Sequence, residues 1–213
     1  MSKITLYGRR GWGSAIVEAQ LEWLGLDYTH EAVGDLLRSA EARRSLAPVN
    51  PLAQVPTLVL PNGQILTESA AITLYLADMM GRDDLVPPPG SLERPDFLRW
   101  LIFLVANVYP TYTYADEPDR FVPDEAARDG FRAAVDAYAQ RLYGILEVTA
   151  RAPWFLGGRF SALDIYVAVM TRWRPGRKWF AESAPRLYSI ATRADVIPQL
   201  QAVWSRNFSD ARS

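Results

Sequence analysis

The segment Thr67-Glu68-Ser69-Ala70-Ala71-Ile72 places a carboxylate and a hydroxyl at the start of a predicted helix. The first N–H groups of a helix have no partner within it, and together with the helix dipole they favour an anion. Ser69 would add a hydroxyl to this anion site, and Glu68 would meet an ammonium group of the same ligand. A carboxylate beside an ammonium group is an α-amino acid. The same residues also fit an ordinary helix start, with Thr67 or Ser69 as the cap.

A second candidate binding segment, Gln54-Val55-Pro56-Thr57, lies just before a predicted apolar strand. Its proline fits an ordinary turn. A cis Val55–Pro56 bond would instead turn the backbone N–H and carbonyl of Val55 outward at the sheet edge. An extended peptide would then pair with them like an added strand. The sequence does not fix the isomer of this bond.

The elements that must position these segments follow from hydrophobic periodicity and turn residues. We predict a βαβ unit with strands over 4–7 and 28–33 and a helix from Ser14 that ends at Gly25. A helix over 35–46 follows. Further predicted elements are two short strands (57–60, 64–66), joined at Pro61-Asn62-Gly63, and a helix (68–79). The first two strands would be parallel and the last two antiparallel.

The residue pattern changes near residue 81, where Gly81 and Pro87-Pro88-Pro89-Gly90 interrupt the periodic segments and indicate a linker. Beyond the linker only helical periodicity is found. The predicted helices cover about 92–115, 124–148, 161–173 and 185–206. The predicted fold class is therefore α/β plus all-α. The N-terminal domain would span 1–81, the linker 82–90 and an all-helical domain 91–213.

The ordered set of Val55-Pro56-Thr57-Leu58, the hairpin and Glu68-Ser69-Ala70-Ala71-Ile72 resembles a cytosolic glutathione S-transferase. The segment 157–165 extends the resemblance into the helical half. There Ser161 and Asp164 resemble the family's Ser-x-x-Asp capping box, which we interpret as structural. The resemblance covers essentially the whole chain and points to a bacterial-type member of the family.

This resemblance implies a thioredoxin-like N-terminal domain, a C-terminal helical domain and a homodimer. Glutathione would bind the first domain as co-substrate, with no metal. Carried onto this sequence, Val55 in the turn at Pro56 would pair with the cysteinyl backbone of glutathione. Glu68 and Ser69 would take its γ-glutamyl group, and Gln54 would assist near the peptide.

The position that should activate the thiol departs from the family pattern. Family members place a Tyr, Ser or Cys near the end of the first strand or the start of the first helix. Here that stretch is 7–14, and the usual Ser or Cys position falls on or near Trp12. Candidate catalytic groups are the hydroxyl of Ser14, the phenol of Tyr7 and the backbone N–H groups of Trp12 and Gly13. We place Ser14 ahead of Tyr7, although Ser14 also fits a helix cap and Tyr7 a core position.

The electrophile would bind against aromatic side chains of the helical domain, with Trp12 closing the other side. Trp100, Phe103 and Asn107 share one predicted helical face, and Tyr112 follows at an expected break of that helix. An aromatic cleft of this kind would favour a hydrophobic electrophile. Such a stripe is also typical of a core.

The composition excludes several other classes of site. With no cysteine, the chain has no disulfide, no protein thiol nucleophile and no cysteine-ligated zinc. A single histidine, His30, excludes a multi-histidine metal site. The net charge of −1 gives no reason to expect nucleic acid or a membrane as partner. Because the N-terminus lacks a signal-peptide pattern, we expect a cytoplasmic location.

Two classes of function remain open. The first is an enzyme of detoxification that conjugates the glutathione thiolate to hydrophobic electrophiles. A close variant is a glutathione-dependent isomerase or dehalogenase that uses the same thiolate as a transient nucleophile. The second is a non-catalytic binding module, a stress or regulatory protein that binds glutathione or another ligand, and Trp12 keeps this second class open.

Overall fold

The computed structural model describes residues 3–209, which fall into two compact units. The first unit comprises Met1–Val86 together with Arg193–Ser213, and the second comprises Pro87–Thr192. The domain boundaries from the sequence stay a prediction. The division by contacts differs from them because the C-terminal segment belongs to the first unit.

The first unit is built on a four-stranded sheet in the order β2-β1-β3-β4. Its strands are β1 (Ile4–Gly8), β2 (Tyr28–Ala32), β3 (Thr57–Val59) and β4 (Ile65–Leu66). β1 pairs in parallel with β2, whereas the pairs β1–β3 and β3–β4 are antiparallel. This pairing confirms the predicted βαβ unit and the hairpin that follows it.

The helices of the described residues are numbered in chain order. They are α1 (Ser14–Leu24), α2 (Ala40–Leu46), α3 (Ser69–Met80), α4 (Arg94–Phe103), α5 (Tyr109–Asp116), α6 (Arg128–Thr149), α7 (Ala162–Met170), α8 (Arg177–Ser183), α9 (Pro185–Asp195) and α10 (Gln201–Phe208). The boundary of the second unit falls inside α9. None of these helices is long and apolar enough to cross a membrane.

The helix α1 is the central support of the first unit, and it packs against β1, α3 and α10. Most of its residues are buried, including the fully buried Ile16, Val17 and Leu21. It ends at Gly25, whose φ of 68° is left-handed and carries no steric cost for glycine. Both ends of α1 therefore lie where the sequence predicts them.

The helix predicted over 35–46 begins later than expected. Asp35 accepts hydrogen bonds from the N–H groups of Leu37 and Arg38, which forms a turn rather than a helix. Ser39 then caps α2 by accepting from the N–H of Ala42 at 3.1 Å. Local side-chain bonds thus displace the first helical turn.

Two further departures concern the second half of the chain. The predicted helix 185–206 is two helices, because the chain breaks at Ile197 and Pro198 between α9 and α10. The helix α8 was not predicted. The predicted break at Thr111–Tyr114 is wrong, since α5 continues to Asp116. The irregular segment is instead Leu104–Val108, a π-helical stretch.

The start of α7 contains the capping box proposed from the sequence. The hydroxyl of Ser161 and the carboxylate of Asp164 satisfy each other's backbone N–H groups. Asp164 accepts from the N–H of Ser161 and from the N–H of Phe155, each at 2.7 Å. Its carboxyl is fully buried, so it connects the helix start to the preceding loop inside the core.

The buried carboxyl should give the stability a distinct pH dependence. Burial raises the pKa of Asp164 to about 7, from about 3.9 in an unfolded chain, against the opposing effect of its hydrogen bonds. Between these two pH values the folded protein therefore holds a proton that the unfolded chain has released. The contribution of Asp164 to the free energy of unfolding is fully present below pH ~4 and is lost as the pH rises through ~7. We expect Asp164→Asn to remove this decline, which is on the order of a few kcal/mol.

Urea unfolding at several pH values between 4 and 8 measures this effect. The difference in the free energy of unfolding between wild type and Asp164→Asn should change with pH. Asp124→Asn is the matched control, since Asp124 also caps a helical turn but is exposed. An equal pH slope in wild type and Asp164→Asn would contradict the assignment.

Candidate functional site

The turn before β3 is held by one buried side chain, Asn50. Its amide nitrogen donates to the carbonyl of Gln54 and to the hydroxyl of Thr57, both at 3.0 Å. Its amide oxygen accepts from the N–H of Leu52 at 3.1 Å. Thr57 also donates to the carbonyl of Gln54 at 2.9 Å. These bonds fix the backbone of the turn as far as the carbonyl of Gln54. The residue Gln54 as a whole is exposed.

Val55 follows this turn with its backbone unpaired. Within residues 3–209 neither its N–H nor its carbonyl has a hydrogen-bond partner. The Val55–Pro56 bond is cis and Pro56 is buried. Backbone groups beside a strand are strong hydrogen-bonding groups. An extended ligand could therefore pair with Val55.

The start of α3 is the second open feature. Glu68 precedes the helix with φ 67° and ψ 112°, a left-handed φ that is costly for a residue with a side chain. No side chain caps the helix, so its first N–H groups remain available to a ligand. Ser69 is only 7% exposed, and its hydroxyl has no partner among the described residues. Glu68 itself is exposed.

Strain of this kind is confined to the same region. In the described part of the chain, Ala53 and Glu68 are the two non-glycine residues with positive φ. Ala53 has φ 48° and lies two residues before Val55. Strained residues persist where the surrounding structure holds them, and they cluster at ligand sites. Neither conformation was predicted from the sequence.

Strand register brings the candidate segments to one end of the sheet. Leu58 pairs with Leu66, so the chain before β3 and the chain after β4 leave the hairpin at the same end. Tyr7 pairs with Thr57, so the end of β1 lies there as well. The structure therefore gathers 53–56, 67–69 and the loop after β1 into one region of the first unit.

The loop between β1 and α1 has most of its polar groups engaged. The hydroxyl of Ser14 accepts from the N–H of Arg9 at 3.0 Å and donates to the Arg9 carbonyl at 3.1 Å. The N–H of Trp12 donates to the same carbonyl, also at 3.1 Å, and the guanidinium of Arg9 lies 5.3 Å from the Trp12 ring centroid. The buried N–H of Gly13 has no partner within residues 3–209.

Tyr7 and Ser14 lie on opposite faces of the sheet. A Cβ built on Gly8 would lie 2.7 Å from the Cβ of Ser14, so Gly8 faces α1. Because side chains alternate along a strand, the half-buried Tyr7 points to the other face. The two predicted hydroxyl donors are therefore not brought together.

The residues predicted for the electrophile pocket in the second unit differ in their surroundings. Trp100 is 4% exposed, with edge contacts to Phe103 and Phe155 at ring-centroid distances of 5.3 and 6.1 Å. Its observed role is core packing. Phe103 and Asn107 are half-buried, and Asn107 donates to the carbonyl of Phe103 at 3.4 Å. Asn107 lies in the π-helical stretch, a feature often found at functional sites.

Tyr112 is tied to its neighbours in the second unit. Its hydroxyl lies 2.5 Å from the hydroxyl of Tyr143 and donates to the carbonyl of Arg174 at 3.0 Å. Burial raises the pKa of Tyr112, so its hydroxyl stays protonated at neutral pH. The ring meets Trp173 edge-on at 5.0 Å between centroids. Its role in substrate binding stays a prediction.

The first unit contains a cavity of about 560 Å³. None of the residues predicted to bind glutathione or to act in catalysis lines it. Its lining residues are Arg10, Glu18, Glu22, Leu26, Asp27, Tyr28, His30, Arg206 and Asn207. In the described part of the chain, no group of three or more His, Cys, Asp or Glu side chains is placed to hold a metal.

Comparisons with known proteins agree with the fold. The family described as "Glutathione S-transferase, N-terminal domain" matches residues 14–79. The uncharacterized GST-like protein YncG of Escherichia coli K12 is 41% identical over 206 residues, which is 96% of this chain and 98% of that protein. The glutathione S-transferase GstA of Escherichia coli O157:H7 is 28% identical over 92% of this chain and 94% of that protein.

A solved structure shows the same likeness. A sphingomonad glutathione S-transferase complexed with glutathione is 29% identical, with a TM-score of 0.75 over 93% of this chain and 96% of that one. The chain belongs to the glutathione S-transferase family. It has the thioredoxin-like fold of that family, followed by a helical region, which confirms the predicted fold class.

The buried Asn50 should be a main support of the turn before β3. Asn50→Ala removes two donated bonds and leaves the Thr57 side chain and the Leu52 N–H without this partner. We expect a loss of about 1–3 kcal/mol in the free energy of unfolding, measured with urea. Asn62→Ala is the matched control, because Asn62 makes the same bond to the residue two positions on, Gln64, but is exposed. A similar loss in both variants would contradict this role of Asn50.

Proposed function

We propose that this protein is a glutathione transferase that conjugates the glutathione thiolate to hydrophobic electrophiles. One observation carries the proposal. In a chain of this family, an unpaired Val55 backbone, a strained Glu68 and the uncapped start of α3 meet at one end of the sheet. Together they offer a strand partner, a carboxylate and an anion site, which match a peptide that ends in an α-amino acid group.

The cysteinyl and γ-glutamyl parts of glutathione each have a partner in this arrangement. Its cysteinyl backbone pairs with the N–H and carbonyl of Val55, which Pro56 positions, and the exposed Gln54 assists. The α-carboxylate of its γ-glutamyl group binds the Ser69 hydroxyl and the first N–H groups of α3. The ammonium group binds Glu68. A sphingomonad relative of this chain has been solved with glutathione, which supports this choice of ligand.

Activation of the thiol is assigned to the start of α1. The hydroxyl of Ser14 already bonds to Arg9 in both directions, and the N–H of Trp12 is engaged as well. Among the candidates, the N–H of Gly13 and the phenol of Tyr7 have no partner in the described residues, and of these two Gly13 lies directly before α1. A buried N–H of this kind favours an acceptor, and a thiolate at a helix start is one. Ser14, Tyr7 and Trp12 remain the alternative catalytic groups.

The required stabilisation is modest. A free thiol has a pKa of about 8.5, and lowering it by two units takes roughly 2.7 kcal/mol. A charge-assisted hydrogen bond supplies about 1.5–3 kcal/mol and a helix N-terminus about 0.3–1 kcal/mol. One backbone donor on α1 together with the helix dipole is therefore sufficient.

The remaining parts of the proposal rest on the family and the sequence. Within the second unit, the electrophile binds against Phe103, Asn107 and Tyr112, with Trp100 packed against Phe103. The part of Trp12 in this binding stays a prediction from the sequence. The protein acts as a homodimer in the cytoplasm and needs no metal.

A non-catalytic glutathione-binding module is the second candidate. It is favoured by Trp12 at the usual catalytic position and by the engaged hydroxyl of Ser14. Isomerisation or dehalogenation would use the same thiolate as conjugation. Thiol ionisation therefore separates the module from both kinds of enzyme.

Ser69 should bind glutathione directly. Ser69→Ala removes a hydrogen bond to a carboxylate, so we expect glutathione to bind about tenfold more weakly in isothermal titration. Ser39→Ala is the matched control, since Ser39 caps α2 and the change should lower stability without changing glutathione affinity. Unchanged affinity in Ser69→Ala would contradict the proposed hydrogen bond between Ser69 and the carboxylate of glutathione.

The backbone of Gly13 should lower the thiol pKa of bound glutathione. Gly13 has φ −58°, a value that proline also adopts, so Gly13→Pro removes the N–H at a suitable φ. We expect this variant to return the thiol pKa toward about 8.5, measured by thiolate absorbance against pH. Gly13→Ala keeps the N–H and should leave the pKa low. A rise in Ser14→Ala or Tyr7→Phe without a rise in Gly13→Pro would assign the donor to that side chain.

A further inference from the structure

A buried carboxylate connects α1 to α10 within the first unit. Glu18 is 3% exposed, yet its oxygens have charged and polar partners. One oxygen accepts from the guanidinium of Arg206 at 2.8 Å and from the hydroxyl of Tyr28 at 3.3 Å. The other accepts from the amide nitrogen of Asn207 at 2.7 Å. A buried charge requires such partners, so α10 is fixed in place by Glu18.

Arg206 extends this connection along α1. Its guanidinium also donates to Glu22 at 2.6 Å and to the Tyr28 hydroxyl at 3.1 Å. Glu18 and Glu22 lie one turn apart on α1, so a single arginine spans both. The position of α10 against α1 is therefore set by ionic contacts to the buried Glu18 and to the partly exposed Glu22.

The amide oxygen of Asn207 contacts the loop that precedes α1. It accepts from the backbone N–H of Gly11 at 3.1 Å. The orientation of the amide is determined from both sides, because a carboxylate needs the NH₂ group and an N–H donor needs the oxygen. Donation to the carboxylate also polarises the amide and strengthens its oxygen as an acceptor.

The loop backbone lies within van der Waals reach of α10 at this point. Gly11 has φ 75°, and a Cβ on it would lie 3.6 Å from the Asn207 carbonyl and 4.0 Å from the Phe208 ring. Arg10 adds a second connection by donating to the hydroxyl of Ser209. On the other side of the loop, Ser14 holds the backbone of Arg9.

We infer that Asn207 is a positioning residue for thiol activation. It is held by the buried Glu18 and in turn holds the N–H of Gly11, so it fixes the position of the neighbouring Trp12–Gly13 backbone. This inference rests on the proposed function. Donors stabilise a developing charge best when they are held in place before it forms. The loop is held at Arg9 by Ser14 of α1 and at Gly11 by Asn207 of α10. The proposed donor, the N–H of Gly13, lies between Gly11 and the start of α1. Asn207 touches neither thiol nor electrophile in this account.

Asn207→Ala tests the inference through a property of the bound thiol. We expect the thiol pKa of bound glutathione to rise by about one unit and kcat/KM to fall about tenfold near neutral pH. At about pH 5, where the thiol is protonated in both complexes, the affinity for glutathione should change less than twofold, because Val55, Glu68 and Ser69 are unaffected. The matched control is Trp204→Phe, which removes a different α10 hydrogen bond, from the indole to the Ala194 carbonyl at 3.1 Å.

A second measurement needs no variant and no glutathione. In hydrogen exchange of the wild-type protein, the Gly11 amide should be protected and should exchange together with the amides of α10. Exchange of Gly11 at the rate of an unprotected amide would overturn the inference, even if Asn207→Ala does not fold.

The outcomes separate this inference from the function on which it rests. If wild type lowers the thiol pKa and Asn207→Ala raises it while Trp204→Phe does not, the inference is supported. If wild type lowers the pKa and both variants match it, the inference is wrong and the proposed function stands. If both variants raise it equally, the effect is a general loss of α10 stability and the inference is wrong. If wild type itself leaves the pKa at its free value, both proposals fail.

Discussion

A buried backbone N–H or carbonyl must find a hydrogen-bond partner, and this constraint determines both the fixed and the open parts of the protein. Polar side chains meet it at several turns, and three of these side chains are buried amides or carboxyls. Asn50 holds the turn before β3, Asp164 holds the loop before α7, and Asn207 holds the loop before α1. Where no such partner is present among the described residues, at Val55, at Gly13 and at the start of α3, the structure is open to a ligand.

The open groups lie together because of strand register and not because they are close in sequence. The hairpin of β3 and β4 brings Val55 and Ser69 to the same end of the sheet, and β1 ends beside them. The strained backbone of Ala53 and Glu68 falls at the same end. Binding and activation of a thiol peptide would therefore use different elements of one region. The β3 turn and α3 would bind the peptide, and α1 would activate the sulfur.

Local patterns in the sequence predicted several parts of the fold that local interactions determine, although they missed the turn at Asp35 that delays α2. The Pro61-Asn62-Gly63 turn predicted the hairpin, and the resemblance of 157–165 to the family's motif predicted the capping box of Ser161 and Asp164. Long-range contacts were not predictable in the same way. Glu18 and Asn207 are 189 residues apart, and nothing in either segment alone indicates that they meet. The use of the Ser14 hydroxyl by Arg9 depends on the fold of a loop, which a residue type does not reveal.

A crystal structure of the protein with glutathione tests the central claim most directly, through the contacts that each part of the peptide makes. The account predicts hydrogen bonds of about 3 Å from the Val55 N–H and carbonyl to the cysteinyl backbone, with the glutamyl carboxylate on Ser69. It also predicts that the sulfur lies nearest the N–H of Gly13. Glutathione bound away from Val55 and Ser69, or a sulfur held by the phenol of Tyr7, would contradict it.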